Sequence, residues 1–359
     1  MLADVIETPY LAVDVARLDR NIATVADRVR GVGLDLRPHA KTHKCAEIAS
    51  RQLGSGAVGL TVATIGEAEA FAAVIAEPDL FIAYPLWVTE RKGARLRELA
   101  RRSTLRLAID SVAGAERLAA ELRGVDVAVV VEVDSGQHRT GVDPAEAGSV
   151  AAAAVSLGLR VVGVFTFPGH GYSPGEARRQ AAEQEVSALA IAADRLRDNG
   201  IDPLVRSGGS TPTIAFVDGG ILTEVRPGVY PFNDAQQVEL GSCGFGDVGL
   251  TAVATVVHRT GARIVADAGS KILGADRPAW ASGFGRLLDH EDARVVALSE
   301  HHAVIDFPDG AASIPQPGTV IRMVPNHVCT AVNLVDELAA SFPDGEVVPW
   351  RVIARGANS

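Results

Sequence analysis

Apolar and polar positions along the first two thirds of the chain follow two alternating rhythms. Short apolar runs of strand length are each followed by segments whose apolar residues recur at helical spacing. Residues 10–13 form the first run, and Asp14 can cap the helix in which Leu18, Ile22, Val25 and Val29 recur until Gly31. Further strand-like runs lie at 34–36, 57–62, 80–83, 105–109, 127–133, 161–165, 204–206 and 223–225. Helical segments fall between them at 67–76, 89–101, 112–122, 145–157 and 176–199, with Ser111 placed as a cap. The run 127–133 is interrupted by Glu132 alone, which predicts a strand covered on both faces. About eight strand–helix alternations predict a parallel (β/α)8 barrel.

The pattern changes after Pro231. Short β-rich runs at 251–258, 263–267, 294–298, 302–305, 319–324 and 347–352 are separated by Gly, Pro and Asp turns with little helical periodicity. A second, mostly antiparallel β domain is expected. The predicted division is a barrel over 8–233 and a β domain over 234–359 plus 1–7.

Composition narrows the class. The 359 residues carry 47% hydrophobic side chains and 36 glycines, which suits a compact α/β enzyme. A formal net charge of −10, with no long Lys/Arg stripe, argues against a nucleic-acid partner. Cys45, Cys243 and Cys329 are odd in number and far apart, so a disulfide framework is not expected and a reducing, cytoplasmic setting is. Asp4 and Glu7 argue against a basic-then-apolar leader, and Ser156 and Arg160 break the richest apolar region, so no membrane span is expected.

Five clusters fall just past predicted strand ends, where a (β/α) barrel builds its active face. The first, 36–44, holds Arg37, His39, Lys41, His43 and Lys44. It is either a solvated basic loop or the seat of a lysine whose pKa falls among other cations, as a Schiff-base lysine requires. The others are 134–141, 166–172, 207–213 and 224–230. Segment 207–213 reads as an anion cradle, with Ser207, Gly208, Gly209, Ser210 and Thr211 offering N–H and hydroxyl groups before a helix that Pro212 could begin. A phosphate site beside a Schiff-base lysine suggests pyridoxal phosphate. In the β domain, His327 and Cys329 are one residue apart on an expected strand, so both face one side, as two metal ligands would. A buried cysteine beside a hydrogen-bonded histidine is the alternative. A thiolate with an imidazole selects zinc over magnesium or calcium.

Together these clusters resemble the fold-type III pyridoxal phosphate enzymes, specifically the D-threonine aldolase and D-serine dehydratase group related to alanine racemase. The resemblance rests on Thr8-Pro9-Tyr10, the 37–44 octet, 207–213, Arg226-Pro227-Gly228 and Pro325-Asn326-His327-Val328-Cys329. It implies Lys41 as the Schiff-base residue and Arg226 beside the pyridine nitrogen. It implies Gln137 and Arg139 near the cofactor ring. Ser207, Gly209, Ser210, Thr211 and Tyr230 would lie about the phosphate. His327 and Cys329 would hold a divalent metal, zinc or manganese, at the substrate's β-hydroxyl. His170 would take the hydroxyl proton. The implied substrate is a small D-amino acid and the implied assembly a homodimer. Cys329 is the dehydratase-like ligand, whereas His170 and Val332-Asn333-Leu334 are aldolase-like, and the expectation leans to aldolase. Elimination to a 2-oxo acid and ammonia is the alternative; racemization and non-catalytic cofactor binding rank lower.

Overall fold

The computed structural model describes residues 7–359, so residues 1–6 of the expected β domain lie outside the described residues. The chain divides into two compact units. One comprises residues up to Ala23, Thr42–Glu47 and Val229–Arg355; the other comprises Thr24–Lys41, Ile48–Gly228 and Gly356–Ser359.

The first strand, β1 (Tyr10–Asp14), belongs to the first of these units and does not open the barrel. The barrel unit carries β2 (Asp35–Leu36), β3 (Leu60–Val62), β4 (Asp79–Pro85), β5 (Thr104–Ile109), β6 (Ala128–Glu132), β7 (Arg160–Phe165), β8 (Val205–Gly208) and β9 (Glu224–Val225). All pair in parallel, in the order β2-β9-β8-β7-β6-β5-β4-β3. The two end strands meet through Val58 N–H to Leu36 O (2.9 Å), Thr61 N–H to Pro38 O (2.8 Å) and the His39–Thr61 bridge, which closes the (β/α)8 barrel. Intervening helices start where small hydroxyl residues accept from the first turn: Thr64 from Glu67, Thr89 from Lys92 and Ser111 from Gly114. Phe81, Ala108, Val130 and Phe165 form an apolar cluster in this unit, with the Phe81 and Phe165 rings edge to face at 5.0 Å.

The other unit is built on β10 (Leu250–Thr260), β11 (Arg263–Ala266), β12 (Gly285–Leu287), β13 (Arg294–Leu298), β14 (Ala303–Asp306), β15 (Val320–Pro325), β16 (Glu337–Ser341) and β17 (Val347–Arg351). The order β11-β14-β13-β12-β15-β10, with β10 also on β11, closes an antiparallel ring that β1, β16 and β17 extend. β1 sits between β10 and β16 with Leu11 and Val13 buried; its apolar run marked a buried strand but not its partners. Among the described residues, no helix is long and apolar enough to cross a membrane.

Candidate active site

The basic stretch after β2 separates into distinct roles. Arg37 is 2% exposed and turns into the barrel, with Asp79 at 2.7 Å and Glu224 at 3.0 Å. His39 N–H donates to Pro227 O (3.0 Å), and the short turn Ala40–Thr42 then presents Lys41. Lys41 lines a cavity of about 380 Å³ together with His39, Ala63, Thr64, Ala83, Tyr84, Arg139, Thr140, Phe167 and Arg226. Its Nζ lies 6.0 Å from the centre of the Phe167 ring, and the Arg139 guanidinium lies 5.2 Å from the same ring. Lys44 is not in the following helix. It precedes Ala46–Gly54 at φ 49°, and its Nζ donates to Asn333 Oδ1 (2.7 Å).

Arg226, just past β9, is buried and lies 5.1 Å from the Phe165 ring and 5.6 Å from the Phe81 ring. It donates to Ser207 Oγ (2.8 Å) and to the Thr166 carbonyl. Burial lowers its pKa to about 10, against the opposing pull of Glu224, Glu185 and Glu132. These carboxylates behave differently. Burial pushes Glu224 up, but the Arg37 and Arg106 guanidinia hold it below the usual carboxylate range. At Glu132 and Glu185 burial outweighs the pull of Arg226 and raises each to about 7; the Oε2 of each is buried with no hydrogen-bond partner. Glu132 Oε1 accepts from Thr140 (3.0 Å).

The glycine turn is less open than expected. Gly209 N–H donates to Glu185 Oε1 (2.5 Å), and Ser210 N–H donates to Thr213 Oγ1 (2.9 Å), so both are committed internally. The Ser207 hydroxyl serves Arg226 and Glu224 inside the barrel. Gly209 has φ +75°, and an added Cβ would fall 2.9 Å from Val225 Cβ, which accounts for this glycine through backbone and packing. Pro212 begins no α-helix; a single 3-10 turn, Ile214–Phe216, follows. Ser210 and Thr211 are buried side chains of the same turn.

Gln137 lies against Gly169 and lines a small recess with Arg139 and Phe167. His170 does not line the larger cavity. Its Nε2 lies 2.7 Å from Gln184 Oε1, and its Nδ1 is buried without a partner. An amide oxygen accepts and does not donate, so Nε2 is the donor in this bond, and in a neutral ring Nδ1 is then the acceptor.

The β unit places His327 and Cys329 at a junction, not along a strand: β15 ends at Pro325, and His327 caps the short helix Val328–Val332. The ladder ends at Pro325, which pairs with Gly285, so beyond it the expected strand geometry gives way to a helical start. The ring still reaches Cys329 by a hydrogen bond, while Nδ1 bonds Asp276. Burial alone would lower the pKa of His327, but the Cys329 sulfur and the Asp276 carboxylate raise it. The Cys329 thiol donates to Thr42 Oγ1 (3.2 Å). Asp234 receives Val328 N–H (3.1 Å) and Gln237 N–H (2.9 Å), fixing the segment from behind. Tyr230 is buried in this unit.

These sets suit the groups expected of them. The barrel cavity offers an amine, a buried guanidinium and an aromatic wall around a volume within the range of ligand sites (about 300–1,000 Å³), which fits pyridoxal phosphate. A carboxylate-backed imidazole bonded to a thiol is a donor set for a soft divalent ion, with Asp276 orienting the ring. Among the described residues no group of three or more His, Cys, Asp or Glu converges on a metal position, so the pair would leave positions for other ligands. Asp276, Gln184 and Glu185 escaped the sequence reading. Glu185 had a signal, an acid on the face shared by Ala181, Ala182, Ala188 and Leu189.

The family described as alanine racemase, N-terminal domain, matches residues 13–235, and the putative serine dehydratase domain matches 249–340. D-threo-3-hydroxyaspartate dehydratase of Delftia sp. is 34% identical over 96% of this chain and 97% of its own. D-threonine aldolase of Arthrobacter sp. is 32% identical over 98% of this chain and 93% of its own. The solved Delftia dehydratase has a TM-score of 0.88 at 32% identity, covering 97% of each chain. Solved variants of D-threo-3-hydroxyaspartate dehydratase replace a histidine and a cysteine by alanine, spaced as His327 and Cys329 are, the cysteine variant being in the metal-free form. This chain therefore belongs to the alanine racemase N-terminal family of pyridoxal-phosphate enzymes, in its D-threonine aldolase and D-serine dehydratase-like branch of lyases.

Proposed function

We propose that this chain is a pyridoxal-phosphate- and divalent-metal-dependent lyase of D-β-hydroxy amino acids that cleaves Cα–Cβ to give glycine and an aldehyde. Relatives of nearly equal identity are named for cleavage and for elimination, so identity does not choose. The observation that carries the choice is the Nε2–Gln184 bond of His170. It leaves Nδ1 as an acceptor. An acceptor can remove the proton of a β-hydroxyl, as retro-aldol cleavage requires; it cannot give a proton to a departing hydroxide, as elimination prefers.

When bound, pyridoxal phosphate supplies an electron sink for the charge developing at Cα. A divalent metal on His327 and Cys329, zinc by the softness of the sulfur, supplies Lewis acidity toward the β-oxygen. Lys41 offers the amine that retains the cofactor. Arg226, with a pKa of about 10, stays cationic at neutral pH and presents a fixed charge instead of an acid. Arg139 and Phe167 form the wall beside Lys41. A cytoplasmic setting, which keeps Cys329 reduced, and a homodimer are part of the proposal.

Elimination is the second reading, favoured by Cys329 and by the His/Cys variants of the related dehydratase. His170→Asn separates the two. Acetaldehyde release from D-threonine should fall by roughly 10²–10⁴-fold, the usual worth of a general base. Release at the native rate would sink the cleavage reading.

A further inference from the structure

We propose that Gln184 is a positioning residue that selects the tautomer of His170, and with it the direction in which that imidazole moves a proton. The inference deepens the cleavage reading above and rests on His170 acting at the β-hydroxyl. A neutral imidazole carries one N–H, and the partner of one nitrogen decides the state of the other. Gln184 Oε1, 2.7 Å from Nε2, holds the hydrogen there. Nδ1 is buried and without a hydrogen-bond partner among the described residues. An open buried acceptor is costly unless it is used.

The pair is held from two sides. Gln184 is exposed on the helix Ala177–Asp198, but its neighbours Ala181, Ala182 and Glu185 are buried. Glu185 ties this turn of helix to Gly209, and an added Cβ on Gly171 would fall 3.2 Å from Ala181 Cβ. On the other side lies Gly136, at φ +125°, where an added Cβ would fall 3.1 Å from both Cε1 and Nε2 of His170 and 3.4 Å from Gln184 Oε1. The loop bearing Gln137 and Arg139 thus packs directly on the bonded pair, and a side chain at Gly136 would push it apart.

Nitrogen-15 spectra of histidine-labelled holoenzyme, with the His170 signals assigned by their loss in His170→Asn, read the tautomer without reference to activity. The native protein should show a protonated Nε2 and a bare Nδ1. Gln184→Lys replaces the acceptor with a donor and should lose the Nε2–H signal; Gln184→Met only removes the acceptor and should give a mixture of the two tautomers. Gln184→Lys should lower kcat for acetaldehyde release by at least about tenfold and Gln184→Met by less, with KM little changed. The ceiling is the roughly 10⁴-fold loss seen when an imidazole is held in the wrong tautomer. Gln184→Glu keeps an acceptor and should restore both signal and rate. Because Gln184 is exposed, circular dichroism and bound-cofactor absorbance should match the native protein in all three variants. A native Nδ1–H, or Gln184→Met with native tautomer and rate, overturns the proposal. The predicted native tautomer without any acetaldehyde would instead refute the cleavage reading and leave the tautomer selection standing.

Discussion

Glu185→Gln isolates a single charge inside the barrel. The carboxyl is fully buried, Oε1 accepts Gly209 N–H, and Oε2 has no hydrogen-bond partner. Burial raises its pKa from 4.5 to about 7. A raised carboxyl favours folding while protonated, so its contribution is complete below about pH 4.5 and is lost as pH rises through about 7. The shift, at about 1.4 kcal/mol per unit, sets a penalty of roughly 3 kcal/mol above neutrality. Glutamine keeps the acceptor for Gly209 and never ionizes. The stability of Glu185→Gln relative to the native chain should therefore improve by roughly 2–3 kcal/mol between about pH 5 and about pH 8. Urea unfolding of both proteins at the two pH values, each saturated with cofactor, measures it directly. A difference between variant and native that does not change with pH would refute the claim that burial raises the pKa of this carboxyl in the folded chain.

Glu224→Gln should act in the opposite sense, because Glu224 is paired with Arg37 and Arg106. Removing one member of a buried ion cluster should cost about 3–5 kcal/mol, toward the lower end because Arg37 keeps Asp79. Its carboxyl is held below the usual range, so this stability is present above the ordinary carboxylate pKa and lost in acid. Urea unfolding should accordingly show the gap closing from about pH 7 to about pH 3. Asp276→Asn weakens the partner of His327 without touching either proposed ligand, and competition with a chromogenic chelator should show zinc affinity lowered about 10–100-fold.

How far the site was legible follows from what each signal encodes. Parallel strands buried on both faces read as continuous apolar runs, so β3 to β7 stand out, and the lone charge of Glu132 within one of them was visible. The same kind of run at 10–13 suggested the first barrel strand, but an apolar run carries no information about its neighbours, and β1 pairs with β10 and β16. β12, three residues long, and β16, rich in alanine, had too little β-pattern to be seen. Lys41 stood out by local charge density and His327 with Cys329 by spacing, because those signals are short-range. The partners that condition them are not. Asp276 lies 51 residues from His327, and Gln184 lies 14 from His170 on another element. The glycine turn shows the same limit: its composition advertised N–H groups, but that Glu185 and Thr213 take two of them is set by the fold.

Incubation of the cofactor- and zinc-loaded protein with D-threonine, quantifying acetaldehyde with glycine against 2-oxobutanoate with ammonia, bears most directly on the proposed reaction. Acetaldehyde and glycine in equal amounts, abolished by a chelator and restored by the metal, is the predicted result. Formation of 2-oxobutanoate and ammonia in their place would contradict it.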